Sequence, residues 1–384
     1  MKNVNRFTII GGGISGLTTA IALRKIGIKA TLFEASPSIK PLGAGLALAA
    51  NAVKGFQKLG IVDAILPGGR LMDAFVILDE KGRDITRTDS RAVGRKHGID
   101  NFTIHRAILH QALLDQLVGN PIVLGKRAIS IDQSGEGIII RFDDGTVHQT
   151  DYLIVADGIH SAIRQQLLPD SKPRYAGYTC WRAVVDVSGM NLDLHEATET
   201  WGRNGRVGVV PLAGNKIYWF ACVNAPFQDA RMRGAKVSDL TDWFSGYHRP
   251  IPEIIARTKD ENLLWNDIID LQPLSRYAFG NVLFVGDAAH ATTPNMGQGA
   301  CQAIEDAVVL ADELSANDQP AEAFKRFENR RLKRTHYITE RSRQIGVVAQ
   351  IQNPILAALR NGLFRMLPPS LNDRQLETLY KVDF

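Results

Sequence analysis

Cysteine is scarce in this chain. Its 384 residues hold three, Cys180, Cys222 and Cys301, an odd number with no pair in CxxC spacing. That argues against a disulfide framework and against a zinc site, so no metal ligand set is expected, and the scarcity suits a reducing, cytoplasmic setting. Long apolar runs are missing too, and no transmembrane helix is expected. Basic blocks are absent. Lys and Arg number 45 against 40 Asp and Glu, but they are scattered, and no RNA-binding signature occurs. A nucleic-acid partner is therefore not expected, and the net charge of +5 is at most a bias toward anionic cofactors or substrates. There is no internal repeat or low-complexity segment. No signal peptide is expected either, because the apolar run Phe7–Ile10 leads straight into a glycine loop that the fold needs. What is present is ordinary for a globular protein, 45% apolar and 22% charged residues, with length for two domains or one domain and a large insertion.

The most informative N-terminal stretch is RFTIIGGGISGLTTAIALRKIGIKATLFE, residues 6–34. A short strand at Phe7–Ile10 meets Gly11, Gly13 and Gly16 in G-x-G-x-x-G spacing. A helix with Leu17, Ala20, Ile21 and Ile26 on one apolar face follows, stopped by Gly27, and a second strand ends at Glu34. Strand, glycine turn, helix and a later acid make a dinucleotide-binding unit. Gly11 permits the tight turn, Gly13 lets the backbone approach a pyrophosphate, and Gly16 lets helix and strand pack closely. Glu34 is placed for ribose hydroxyls and disfavours a 2′-phosphate, which points to FAD or NAD rather than NADP.

Further along, residues 41–60 predict a glycine loop and a helix capped near Asn51. Gly43 and Gly45 either bring backbone close to a flat ring or belong to a simple loop. Residues 74–89 read as a hairpin belonging to a second sheet, and 103–117 as a helix. Arg106 in its first turn opposes the helix dipole, so it either meets an anion or is a solvated or ion-paired surface residue. A buried strand at Tyr152–Ala156 ends in Asp157-Gly158, followed by a helix bearing Arg164, with Ser161 as its cap; this is a second place where anionic groups would be met. Residues 174–223 are rich in β-branched and aromatic residues and read as antiparallel strands. They contain Trp181, Trp201 and Trp219, which suggests an aromatic sheet over the cofactor ring. The stretch 282–311 repeats strand, loop and helix: Val282–Val285, then Gly286-Asp287 and a loop to Gly299, then a helix from about Ala300. Such a loop leaves backbone N–H groups free at a helix N-terminus. After residue 320 a charged helix carries an apolar stripe of Phe324, Phe327 and Leu332. The amphipathic segment 354–367 is expected to pack on the body rather than to serve a membrane or a partner.

Three motifs thus stand in order: G-x-G-x-x-G at 11–16, Asp157-Gly158 with Arg164, and Gly286-Asp287 with Pro294-Asn295-Met296-Gly297-Gln298-Gly299. Together, over roughly residues 5–345, they resemble the single-component FAD-dependent aromatic hydroxylases, the group A flavoprotein monooxygenases. The resemblance implies an α/β fold: a Rossmann-like FAD-binding domain, an interleaved antiparallel-sheet substrate domain and C-terminal helices. The FAD-binding domain is expected from residues 1–73, 98–173 and 277–325. The substrate domain is expected from 74–97 and 174–276, and a helical segment from 326–384. Gly11, Gly13, Gly16 and Glu34 would bind the ADP half of FAD, with Gly45 near the flavin ring. Arg106 would reach the pyrophosphate and ribityl region, Asp157 would serve both FAD and the nicotinamide nucleotide, and Asp287 would hold the ribityl–phosphate end. Gly297, Gln298 and Gly299 would set N–H groups at the flavin N1–C2=O edge, where reduced flavin is negatively charged.

The implied reaction is reduction of FAD by NADH or NADPH, addition of dioxygen at flavin C4a, and delivery of one oxygen to a small aromatic or heteroaromatic substrate. A monomer or homodimer is expected. Arg206 and Tyr218 resemble, in spacing, a pocket pair of bacterial urate hydroxylases. Those enzymes carry an acid in the Thr-Thr-Pro-x loop where this chain has Asn295, which cannot act as a base. The loop wording is equally similar to salicylate-hydroxylase-like and zeaxanthin-epoxidase-like members. His290 follows two alanines in a tight loop and reads as structural rather than as a base. The tryptophans lack W-x-W-x-x-P spacing, which argues against a halogenase. A non-oxygenating flavin reductase or dehydrogenase and a non-catalytic flavin-binding protein are the alternatives.

Overall fold

Short apolar runs bounded by turn residues make the central sheet, because a parallel strand is covered on both faces. The computed structural model describes residues 6–38, 44–97, 101–367 and 377–384; Gly43 lies outside them. In spatial order the six strands are Ala278–Phe279, Val282–Phe284, Tyr152–Val155, Phe7–Ile10, Ala30–Phe33 and Ile122–Val123. All neighbours run parallel except the first two. Ile10 pairs with Val155 and Phe33, and Val155 with Phe284. Gly11, Glu34, Asp157 and Asp287 therefore leave the sheet at one carboxyl edge, although they are far apart in sequence.

The helix after the glycine turn, Ile14–Lys25, is buried continuously from Ile14 to Leu23 rather than on one face. It lies against helix Gly299–Ala316, itself buried along most of its length. Two sequence expectations shift here. Phe102–His105 is a strand paired with Gly45–Leu48 and Gly69–Leu71, so the expected helix begins only at Arg106. Helix Ala50–Leu59 has Ala49 as its N-cap, and Asn51 is buried inside the protein instead of capping.

The second sheet has seven strands, in the order Leu264–Leu271, Pro173–Asp186, Lys216–Asn224, Gly205–Leu212, Glu196–Gly202, Ala74–Asp79 and Asp84–Asp89. It is mixed, since Glu196–Gly202 runs parallel to Ala74–Asp79. Side chains alternate between its faces. Trp181, Val207, Val209, Ile217 and Trp219 form one face, packed under the short helices Ala230–Gly234, Val237–Trp243 and Ile251–Ala256. The Trp181 indole donates to the Met232 carbonyl at 3.1 Å and that of Trp219 to Thr258 Oγ1 at 2.8 Å. These two tryptophans are therefore core residues of the far side, not the lining over a cofactor. By strand alternation the opposite face carries Tyr178, Cys180, Arg206, Gly208, Tyr218, Phe220 and Cys222.

Helix Pro320–Ala349 is continuous and buries Phe324 and Phe327, so the boundary expected at 325/326 falls inside it. Helix Pro354–Met366 follows.

Candidate active site

The glycine turn is shaped by backbone contacts. A Cβ on Gly11, whose φ is +104°, would meet the Ala156 carbonyl oxygen at 2.3 Å, and one on Gly16 would meet the Gly11 carbonyl oxygen at 1.8 Å. A Cβ on Gly13 would meet nothing within 4 Å. Two glycines are thus required by the protein itself, while the third borders open space. Glu34 accepts the Gly12 N–H at 2.6 Å and the Ser36 N–H at 2.7 Å, which fixes its carboxylate at the end of the second strand. His110 Nε2 lies 2.7 Å from the Gly12 carbonyl oxygen. Arg106 opens its helix with an exposed side chain.

Asp157 carries the clearest electrostatic mark. Its Oδ1 is buried and has no hydrogen-bond partner among the described residues. Burial pushes its carboxyl up to about 6, against the pull of Ser161 and Arg164. Arg164 is turned away from the open edge. It is fully buried and donates to the carbonyls of Gly158, Ile159, Ser171 and Ala288, so it ties the Asp157 loop to the Asp287 turn and meets no external anion. Ser161 does cap its helix, accepting the Arg164 N–H at 3.1 Å.

A pH dependence follows from Asp157. Its folded value lies above the unfolded one near 3.9, so the folded state binds the extra proton and stability falls as the pH rises from about 4 to about 6. Asp157→Asn is expected to stabilise the FAD-free chain near neutral pH by up to about 2–3 kcal/mol and to do nothing at about pH 4. Urea unfolding at the two pH values checks this; an equal gain at both would clear the charge of responsibility.

The turn after strand Val282–Phe284 is held from behind. Gly286, at φ +57°, sits where a Cβ would strike Ser15 Oγ at 2.5 Å. Asp306 Oδ2 accepts the Gly286 N–H at 2.8 Å and lies 2.7 Å from His290 Nε2. Its Oδ1 accepts Arg331 Nε at 2.7 Å. Arg331 and Arg334 also grip Glu305, at 2.6 Å each, and Glu305 Oε1 accepts the Asn51 amide at 2.6 Å. His290 is therefore a buried member of a structural network. Asp287, on the same turn, is exposed and its side chain has no hydrogen-bond or ion-pair partner among the described residues.

In the loop beyond, the Gly297 N–H is taken by the Pro294 carbonyl at 3.0 Å, with Gly297 at φ +61°. The Gln298 side chain is buried and accepts from Asn51 and Gln302. The free N–H groups are those opening helix Gly299–Ala316, which by geometry have no intrahelical partner.

Two contacts join the second sheet to the rest of the site, one through this loop and one through strand Gly45–Leu48. Asn295 Oδ1 accepts from Arg206 and from the Tyr178 hydroxyl at 3.2 Å, and Asn295 Nδ2 donates to the Ser342 carbonyl at 2.8 Å and to Thr293 Oγ1 at 2.9 Å. The guanidinium of Arg206, only 2% exposed, lies 5.2 Å over the Tyr178 ring and donates to Glu199 Oε1 at 3.0 Å. Glu199 also accepts the Trp201 indole N–H at 2.8 Å. The second contact is Gly45 against Tyr218: a Cβ on Gly45 would meet the tyrosine ring carbons at 2.6–2.7 Å. The flat ring that Gly45 approaches here is thus Tyr218. Burial raises the Tyr218 phenol above its ordinary range, which keeps it protonated. Beside it lie Met72, Ala197, Val210 and Phe220, an apolar patch.

Arg206 and Tyr218 share a sheet face but make different contacts. Glu199, Tyr178, Asn51, Asp306, Arg331 and Arg334 were not legible as site residues. The only trace was an acidic pair, Glu305-Asp306, inside an otherwise apolar helix, and spacing alone could not reveal the arginines that meet it.

Comparison with known proteins adds a family. The model of the FAD binding domain family matches residues 6–342. Aurachin C monooxygenase/isomerase of Stigmatella aurantiaca is 39% identical, over 96% of this chain and 95% of its own. The 2-heptyl-3-hydroxy-4(1H)-quinolone synthase of Pseudomonas aeruginosa is 31% identical, over 97% of each. The crystal structure of Klebsiella pneumoniae HpxO with FAD and uric acid superposes with a TM-score of 0.92 at 28% identity, covering 99% of this chain and 97% of that one.

Proposed function

Because the chain belongs to the FAD binding domain family and has the fold of the FAD-dependent aromatic hydroxylases, we propose that it is a monooxygenase acting on an uncharged quinolone-type heteroaromatic ring. NADH or NADPH supplies the electrons, and dioxygen the inserted atom. The observation that carries this reading is the state of Arg206: its charge is already met by Glu199, with Asn295 as a further acceptor. An anionic substrate would have to displace a buried carboxylate to use that arginine, and breaking a buried charge pair in this way is costly. Asn295 also supplies an amide where deprotonation of a substrate would need a carboxylate base. The apolar patch around Tyr218 suits a ring with a hydrocarbon substituent, as the name of the Pseudomonas relative describes for its own product.

The residues fit FAD. Gly13 borders open space, Asp157 has an orphaned oxygen, and Asp287 is bare at the same sheet edge. Gly11, Gly13, Gly16 and Glu34 would hold the ADP half, with Arg106 toward the pyrophosphate. Asp157 and Asp287 would take the ribityl–phosphate region, and the loop of Gly297, Gln298 and Gly299 would border the ring edge. Of that loop, Gly299 is the better donor, because the Gly297 N–H is used internally. When bound, the cofactor supplies the redox chemistry, by which one atom of dioxygen reaches the ring and the other leaves as water. The chain's own part is positioning and water exclusion. Tyr218, kept protonated, is a hydrogen-bond donor to a ring carbonyl. His290 serves the fold here, its Nε2 held by Asp306 within the buried network.

The test is NADH and NADPH oxidation with oxygen uptake, using a 2-alkyl-4-quinolone, salicylate and urate. The quinolone should stimulate both and give a product one oxygen heavier. Stimulation by urate alone, or oxidation without oxygen consumption, would end the proposal. Glu199→Gln should free Arg206 and tighten binding of salicylate about tenfold, the equivalent of one charge-assisted hydrogen bond; inhibition constants measure it.

A further inference from the structure

Helix Pro354–Met366 is docked the wrong way round for an ordinary surface helix. Amphipathic helices normally bury the apolar face and expose the polar one. Here the polar residues face the body. Arg360 is buried, donates to the carbonyls of Val348 and Ala349 at 3.0 and 3.1 Å, and lies 4.7 Å over the Trp201 ring. Arg365 donates to Asp79 Oδ2 at 2.8 Å and to the Asp84 carbonyl at 2.9 Å. Of the large apolar side chains only Phe364 turns inward, edge-on to Trp201. Outward stand Ile355 at 70% exposure, Leu356 at 53%, Leu359 at 65%, Leu363 at 61% and Met366 at 83%. The segment does pack on the body, as expected, but through its polar side.

We propose that this outward face is a membrane-surface contact, which seats the protein on a phospholipid bilayer without crossing it. A contiguous apolar face on an otherwise polar surface marks a docking site, and an interfacial helix lies in the membrane plane with such a face down. Two observations favour lipid over another protein. The helix has no acidic residue and the chain's net charge is +5, which suits an anionic surface, although both helix arginines are spent on the body. Its inner face continues into the site, because the Trp201 beneath Arg360 hydrogen-bonds Glu199, the partner of Arg206. The choice of lipid rests in part on the quinolone reading above: each buried methylene of an alkyl substituent favours the bilayer, so the substrate would be concentrated where the helix lies.

The test is flotation of the full-length, FAD-loaded protein with phosphatidylcholine vesicles, with and without phosphatidylglycerol. The unaltered protein should float, more so on the anionic vesicles. Leu359→Glu/Leu363→Glu should lower the bound fraction at least about tenfold, with unchanged FAD content. Val118→Glu, which charges an exposed apolar residue elsewhere, should float like the unaltered protein. The proposal is overturned if the unaltered protein stays in solution, if the double variant floats equally, or if the double variant converts a dimer to a monomer while neither form floats. That last result would make the face a contact between two copies. Flotation needs no substrate, and a short, water-soluble 2-methyl-4-quinolone should be turned over equally by both proteins. Absence of turnover in both would therefore count against the substrate reading and leave the membrane result standing.

Discussion

Arg331→Ala is expected to destabilise the chain by about 3–5 kcal/mol near neutral pH. Arg331 is 2% exposed and is shared between Glu305 and Asp306, which are themselves buried. Removing it leaves Asp306 with His290 and Glu305 with Arg334 as charge partners, and one charge too many in a buried site. Although burial works in the other direction, Arg331 with His290 and Arg334 holds both carboxyls below their usual range. Their stabilisation is therefore present above about pH 4 and lost as the pH falls through the lower folded values. The deficit of the variant should accordingly shrink in acid. Arg331→Ala/Asp306→Asn should recover part of the loss, because it removes the uncompensated charge. Urea midpoints measure all three. A single variant within about 1 kcal/mol of the unaltered chain would show that the network carries little. FAD retention should fall with stability, since Asp306 also pins the Gly286 N–H from which the Asp287 turn begins.

The second large effect separates two glycines of one motif. Gly16→Ala places a methyl 1.8 Å from the Gly11 carbonyl oxygen, so helix and turn must part. We expect loss of bound flavin and a destabilisation of about 2–4 kcal/mol, as for other overpacked sites with no room to yield. Gly13→Ala meets nothing within 4 Å. It should leave the FAD-free chain within about 0.5 kcal/mol of its original stability while weakening FAD binding at least tenfold, because the methyl would stand where the pyrophosphate approaches. Flavin absorbance after gel filtration and thermal melts of the FAD-free proteins distinguish the two. If Gly13→Ala retains FAD fully, the open space beside it is not the cofactor's.

Much of the sheet's carboxyl edge was legible because each part is local. A β-rich run, a glycine turn and a helix are encoded within about twenty residues, and backbone sterics leave them few alternatives. The same holds for the strand before Asp157 and the one before Asp287. The second sheet was legible as strands but not as faces. A tryptophan in a strand points to one side or the other according to register, and Trp181 and Trp219 went to the helix-covered core. Helix Pro354–Met366 was legible as amphipathic, yet amphipathicity does not say which face docks. Arg360, stacked on Trp201, decided that.

Residue type and short spacing were enough to establish the strand, glycine turn and helix at the N-terminus, the order of the three motifs and the missing acid at Asn295. Which charges are already paired became visible only once the chain was folded. Arg164 was spent on carbonyls, His290 on Asp306, and Arg206 on Glu199. Each pairing joins residues from separate elements, so no local pattern records it. In a buried site the partner, not the residue type, determines whether a charge is available to a ligand.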